Sequence, residues 1–328
     1  MIQSLYWTGT GHTSTGLSPA DFPNAIRDRE GLLWVDLAAE PAESCEPILR
    51  DVFGFHPLAV DDALEERHVP RVDDWGDYLY LVLQAVTFDQ HSEEPLSTVE
   101  LDAFLGRNHL VTYHTQRIAA VDQVWTLCQR DQRHLQRGTG YLFYKLADEL
   151  VTHYMPVVEE IDDAIDAIED QVFGEPTSST LQQIFTIKRA LLRLRRIMGP
   201  QREMLNKLAR GDYPVLATGD RVFFRDVYDH LVRLYDITES LRELAGSALD
   251  TYLSVVNNRM NQVMKILTVF TALFMPISFL AGFFGMNFFQ PVVAMSAWTS
   301  QLAFTLTLAA MISALVGMCL WMRRRGWM

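Results

Sequence analysis

The sequence predicts an α/β N-terminal domain followed by long α-helices and a two-helix transmembrane domain, and three observations carry that prediction. Short apolar, β-branched runs (LLWVDL, YLYLVLQAVTF and DAFLGRNHLVTYHT) recur within the first 140 residues. From Tyr141 onward the apolar positions take helical spacing between Gly- and Pro-containing breaks. Near the C-terminus, two long runs carry no charge at all.

Residues 1–140 mix those runs with helical stretches, the pattern of an α/β domain with a largely buried sheet. Strand order cannot be read from it. Helical stretches follow at Tyr141 to Phe173 and Leu181 to Arg210, separated by GEPTSS (174–179) and closed by GDYPVLATGD (211–220), so 141–220 predicts an antiparallel helix pair. From Arg221 to Gly285 only Gly246, Pro276 and Gly282 interrupt, each singly. One helix of about 97 Å fits this stretch at 1.5 Å per residue. It would form a stalk (221–287) that becomes a first span at 266–284.

Ile266 to Phe284 and Leu302 to Met322 are uncharged runs of 19 and 21 residues. Each reaches roughly 28–32 Å, the thickness of a bilayer's hydrocarbon core. The second span is placed at 298–322, with Trp298 and Trp321 at its ends and a basic tail at 323–328; an uncharged outer loop occupies 288–297. Lys265 flanks the first span and Arg323–Arg325 follow the second, which predicts both termini in the cytoplasm of a multi-pass protein of the cell (inner) membrane.

The formal net charge is −13, yet all 41 acidic residues lie before residue 262, with 24 of the 28 Lys and Arg. An acidic body joined to an acid-free apolar tail speaks against nucleic acid and for cationic partners and a lipid bilayer. Cys45, Cys128 and Cys319 have no CxxC spacing, so neither disulfides nor structural zinc are expected. The N-terminus lacks a basic start and an apolar run, so export of the body is not expected. GTGHTSTG (9–16) lacks a P-loop lysine and is read as a turn, and no nucleophile–base pair marks an enzyme.

Alternate steps of four and three residues along the long helix visit Asp250, Ser254, Asn257, Asn261, Met264, Thr268, Thr271, Met275, Ser278 and Gly282. A polar seam of period 3.5 in an apolar helix must face protein or water. Close helix packing through small residues is one reading; the lining of a pore at the axis of a symmetric homo-oligomer is the other. Oxygen ligands without His or Cys favour a hard cation such as magnesium.

The first span ends in Gly285-Met286-Asn287, preceded by MKILTVFTALFMPISFLAGFF. With FFRDVYDHL (223–231), ALDTYLSVVNNRMNQVMK (248–265), WVDL (34–37), FGFHPLAVDDAL (53–64) and Pro70-Arg71-Val72, this resembles the CorA family of magnesium and cobalt transporters over nearly the whole chain. The resemblance implies a funnel-shaped homopentamer whose stalk helices line a pore, with no organic cofactor and no ATP hydrolysis. It implies that Gly285, Met286 and Asn287 act as the selectivity filter, Met264 and Leu267 as a hydrophobic constriction, and Asp250 as a carboxylate ring. It further implies that Asp62 and Asp226 hold a regulatory Mg2+ between neighbouring subunits. The expected function is passive magnesium uptake, with cobalt or nickel as further cargo, driven by membrane potential and closed by cytoplasmic magnesium. One departure bears on cargo: FFQPVVAMSA (288–297) lacks the acidic residues of the MPEL-like stretch in many magnesium-transporting members. A zinc transporter of the same fold, coupled to protons, is the alternative, and a non-conducting scaffold is the reading from another class.

Overall fold

The computed structural model describes residues 2–65, 69–90, 92, 94–211, 213–286 and 300–327. It divides into two compact units, Met1–Asp250 and Thr251–Met328.

The first unit begins with β1 (Ile2–Trp7), β2 (Thr13–Thr15), α1 (Phe22–Arg27), β3 (Leu32–Ala38), α2 (Ala42–Pro47) and α3 (Pro57–Glu65). Strands β4 (Arg71–Asp74), β5 (Tyr78–Phe88), β6 (Leu96–Gly106) and β7 (His109–His114) follow. They form one seven-stranded sheet in the order β2-β1-β3-β7-β6-β5-β4. Only β3 and β7 run parallel. At the β6–β7 turn a Cβ on Gly106 would collide with the His109 ring, so the tight reversal needs glycine.

Every residue of β3 is buried, as in a central strand covered on both faces. The period of two sends Leu33, Val35 and Leu37 into a core with Phe22, Leu49, Phe55 and Val60. Trp34 turns the other way, its ring 4.8 Å from Trp125 and its Nε1 donating to Thr112 Oγ1 at 3.1 Å. Beside it, Thr112 Oγ1 donates to Asp36 Oδ1 at 2.6 Å, and His114 Nε2 lies 3.1 Å from the same oxygen. His114 Nδ1 is 2.6 Å from the Gln116 carbonyl, which can only accept. The ring therefore offers hydrogens on both sides, as an imidazolium does. Burial pushes His114 down, but the hydrogen bond and charge of Asp36, helped by Gln116 and Asp122, outweigh it and raise the imidazole above its ordinary value.

Five helices follow: α4 (Ala119–Arg130), α5 (Arg133–Gln136), α6 (Thr139–Thr152), α7 (Tyr154–Phe173) and α8 (Ser178–Arg210). The single helix expected from Tyr141 to Phe173 is two helices that meet at His153. Pro156 explains the break, because it has no N–H for the Thr152 carbonyl four residues earlier. Within the GEPTSS segment, Thr177 caps α8 through a reciprocal bond pair with Thr180, so the helix starts at Ser178. Helices α7 and α8 are tied to the sheet by buried hydrogen bonds. Tyr154 donates from its hydroxyl to the Gln84 carbonyl of β5 at 2.5 Å, and Gln201 of α8 accepts from the Gln84 N–H at 3.1 Å.

The long helix α9 (Arg221–Gly285) then begins with a buried seam of Phe224, Val227, Leu231, Leu234, Thr238, Leu241, Ala245, Ala248 and Tyr252. Its alternating steps of three and four are those of a coiled-coil contact. Helix α8 meets it at Met198, whose Sδ accepts from Thr238 at 3.6 Å, and at Arg195, 3.0 Å from Glu239. The second unit consists of the rest of α9 and α10 (Gln301–Arg324), which Ser300 caps by accepting from the Ala303 N–H at 3.2 Å. Cys45 and Cys128 are buried and unbridged, and Cys319 is half-buried and also free.

Candidate ion pathway

In the second unit the chain covers one face of each helix and leaves the others bare. Along the apolar run of α9 the half-buried positions are Val269, Ala272, Leu273, Pro276, Ile277, Leu280 and Phe283; on α10 they are Ala303, Thr307, Met311, Ala314, Met318 and Cys319, ending at buried Met322. Lys265 Nζ donates to the Gly326 carbonyl at 3.1 Å, which joins the start of the first apolar run to the end of the second.

The seam singled out in the sequence falls on nearly the opposite side of α9. Asp250, Ser254, Asn257, Asn261, Met264, Thr268, Thr271, Met275, Ser278 and Gly282 are all exposed, as are Leu267, Gly285 and Met286. Met264 and Met275 keep 54% and 69% of their surface, values that no buried helix position would have. Asn287 and the loop 288–297 lie outside the described residues.

Two of the seam's hydroxyls have a defined orientation. Thr268 Oγ1 donates to the Met264 carbonyl at 2.8 Å and Thr271 Oγ1 to the Leu267 carbonyl at 2.9 Å. Their hydrogens are turned back along the helix, so what they offer outward is oxygen lone pairs. Those lone pairs can accept from water or coordinate a cation.

Stepping the same period back from Asp250 reaches Ser247, Glu243, Ser240, Asp236, Arg233, Asp229 and Asp226, every one exposed on α9. The seam counted from the sequence begins at Asp250. Extending the same step toward the N-terminus would have placed Asp226 on it.

Asp62 sits on α3 and is half-buried. Its carboxylate forms an ion pair with Arg71 of β4, whose Nε also lies 2.8 Å from Asp73, and the guanidinium stands 5.6 Å above the Tyr80 ring. Burial works against the charged Arg71, but Asp73 and Asp62 more than compensate and raise its pKa. Asp226 is exposed and its side chain has no hydrogen bond or ion pair among the described residues. No group of three His, Cys, Asp or Glu residues able to hold a metal occurs among the described residues of one chain. A divalent ion at Asp62 would compete with Arg71.

Two described helices, α9 through its apolar end and α10, are long and apolar enough to cross a membrane. Residues 29–324 match the model of the CorA-like Mg2+ transporter protein family. The chain belongs to that family. It is therefore a divalent metal ion transporter of the CorA type, with the CorA-like fold and two C-terminal candidate membrane helices, in a family of transporters rather than enzymes. It is 34% identical over 269 residues to the cobalt/magnesium transport protein CorA of Thermotoga maritima, covering 80% of this chain and 75% of that one. The complete CorA magnesium transporter structure from Methanocaldococcus jannaschii superposes with a TM-score of 0.83 at 25% identity, covering 99% and 98% of the two chains. The zinc transport protein ZntB of Yersinia pseudotuberculosis is 24% identical over 274 residues, 83% of this chain and 81% of that protein.

Proposed function

We propose that this CorA-family member is a magnesium channel, assembled as a homopentamer with the α9 seam facing a common axis and both termini in the cytoplasm of the cell (inner) membrane. The observation that supports it most is the seam itself: a polar, 3.5-period face of the spanning helix that its own chain leaves bare. Copies around a water-filled axis would cover it without burying its oxygens.

In this reading Asn287 and the Gly285 carbonyl hold the hydrated ion through its waters, so Mg2+ need not shed them at the outer mouth. Met286 completes the filter, Met264 and Leu267 form the dewetting constriction, and Asp250 forms a carboxylate ring. A potential of 100 mV, inside negative, favours uptake of a doubly charged ion by about 4.6 kcal/mol, so no organic cofactor or nucleotide is needed. Cobalt or nickel would follow magnesium as secondary cargo. Cytoplasmic Mg2+ bridging Asp62 and Asp226 of neighbouring subunits would close the route by neutralising two facing carboxylates.

Zinc is the second reading, favoured by the acid-free outer loop and the similarity to ZntB. The absence of His and Cys from the seam favours magnesium. Uptake by purified protein in liposomes, comparing magnesium, cobalt and zinc under an imposed voltage or proton gradient, decides between them. Voltage-driven magnesium flux is expected; zinc flux that requires a proton gradient would establish the alternative.

A further inference from the structure

The C-terminus of α10 ends in a built cap. Trp327 N–H bonds the Met322 carbonyl at 3.0 Å and Gly326 N–H bonds the Arg323 carbonyl at 3.2 Å, the paired pattern of a Schellman turn. Gly326 takes φ +73°, which a side chain would strain. Trp327 holds the position that commonly packs back on the last turn, and Met322 in that turn keeps only 2% of its surface.

This cap gathers charges that the sequence keeps far apart. Arg323, Arg324 and Arg325 are exposed in succession, Arg325 lies 5.8 Å from the Trp321 ring, and the Gly326 carbonyl takes a hydrogen bond from Lys265, 61 residues earlier. Four cations thus meet at the same end of two apolar helices, with no acidic residue between 251 and 328 to neutralise them. Trp321 and Trp327 remain 54% and 44% exposed beside them, amphipathic rings of the kind that settle at headgroup depth.

We infer that this cluster is a binding site for the phosphate headgroup of anionic phospholipid, built from Lys265, Arg323 and Arg324, with Trp321 and Trp327 setting its depth. The inference rests on α9 and α10 crossing a membrane but not on which cation is carried. Cationic clusters at the foot of a span attract anionic headgroups, and guanidinium forks suit phosphate oxygens. A lipid held there would touch both helix ends through one headgroup.

The test uses the full-length protein reconstituted in vesicles of equal phosphatidylglycerol and phosphatidylcholine, extracted gently, with the retained lipid quantified by native mass spectrometry. The parent is expected to retain phosphatidylglycerol severalfold over phosphatidylcholine. Each Arg→Gln change at 323 or 324 should cut the preference by about fivefold, the weight of one basic residue at a charged surface. Lys265→Gln should weaken it and Lys265→Arg retain it, which separates loss of charge from misfolding. Gly326→Val, which strains the cap but leaves all four charges, should also reduce it. Equal retention of the two lipids by the parent, or a preference unchanged in Arg323→Gln/Arg324→Gln, would overturn the inference. So would displacement of lipid by inorganic phosphate beyond that by chloride at equal ionic strength, which would make this a site for free phosphate.

Discussion

The two units handle apolar surface in opposite ways. In Met1–Asp250 the sheet and its helices bury Trp34, Tyr80, Phe104, Phe143 and Tyr154 almost completely. In Thr251–Met328 only Tyr252 and Met322 are buried among the described residues, while Leu267, Phe270, Phe274 and Phe279 are each more than half exposed. The first unit carries its own core, whereas the second needs other surroundings for its side chains. Lipid suits the apolar faces, and copies of the chain suit the polar seam.

Core truncation should separate the two units most sharply. Trp34→Ala removes a fully buried ring that also donates to Thr112, and about 3–5 kcal/mol of stability should go with it. Phe270→Ala, at a position 57% exposed, should change stability by no more than roughly 0.5 kcal/mol. Denaturant midpoints followed by far-UV circular dichroism compare the two. Equal losses would mean that the second unit has a core of its own.

The buried His114–Asp36 hydrogen bond distinguishes the first unit further. Because the His114 pKa is raised by folding, the folded state holds its proton more tightly than the unfolded chain does. Its contribution is fully present below the unfolded value of about 6.5 and is lost as pH rises through the folded pKa. The unfolding midpoint of the first unit should therefore fall across that interval, by about 1.4 kcal/mol for each pH unit between the two pKa values. Asp36→Asn should flatten the dependence. A midpoint that rises with pH in this window, or the same slope in Asp36→Asn, would contradict the pairing.

What the sequence made legible differs between the units for physical reasons. The spans and the seam of α9 depend on local patterns, charge-free length and a 3.5-residue step, and both can be counted along the chain. The sheet order cannot, since the parallel pairing of β3 with β7 joins segments more than 70 residues apart. The break at His153 was visible in Pro156 but masked by the helical periodicity on either side. The ion pair of Asp62 with Arg71 and the bond from Lys265 to Gly326 arise only when separate elements meet. Asn287, assigned by its motif, rests on the family resemblance alone.

The seam offers a narrower test of the second unit. Thr271→Val keeps the shape but removes an oxygen whose hydrogen bond stays within its own helix, so stability should hold while magnesium uptake into liposomes falls severalfold. Asn287→Ala should reduce uptake at least tenfold with assembly intact, a loss of about 1.4 kcal/mol or more. Met264→Ala or Leu267→Ala should raise flux in the closed condition by admitting water at the constriction. Undiminished uptake in the first two would return the seam to helix packing, and unchanged flux in the last two would move the gate elsewhere.

The smallest expected effect concerns the proposed control of one unit by the other. If Mg2+ bridges Asp62 and Asp226 of neighbouring subunits, the ion must draw Asp62 away from Arg71, so Arg71 acts as an internal competitor. The two side chains keep 33% and 42% of their surface, and an ion pair that exposed is worth only about 0.2–1 kcal/mol. Removing the competitor should therefore make Mg2+ bind more tightly by no more than roughly fivefold. Protection of the first unit from proteolysis, titrated with Mg2+, reads this directly. Asp226→Ala should raise the half-protecting concentration, because it deletes a ligand. Asp226→Lys should protect without Mg2+, because it supplies a tethered cation. Arg71→Gln should shift the midpoint the other way, to lower Mg2+, with the fold unchanged because the Asp62 and Asp73 side chains keep 42% and 43% of their surface in water. A midpoint that stays put in Arg71→Gln while Asp226→Ala raises it would remove Asp62 from the site and leave Asp226 in place. Equal protection of the parent and all three variants would put control of the channel outside both aspartates.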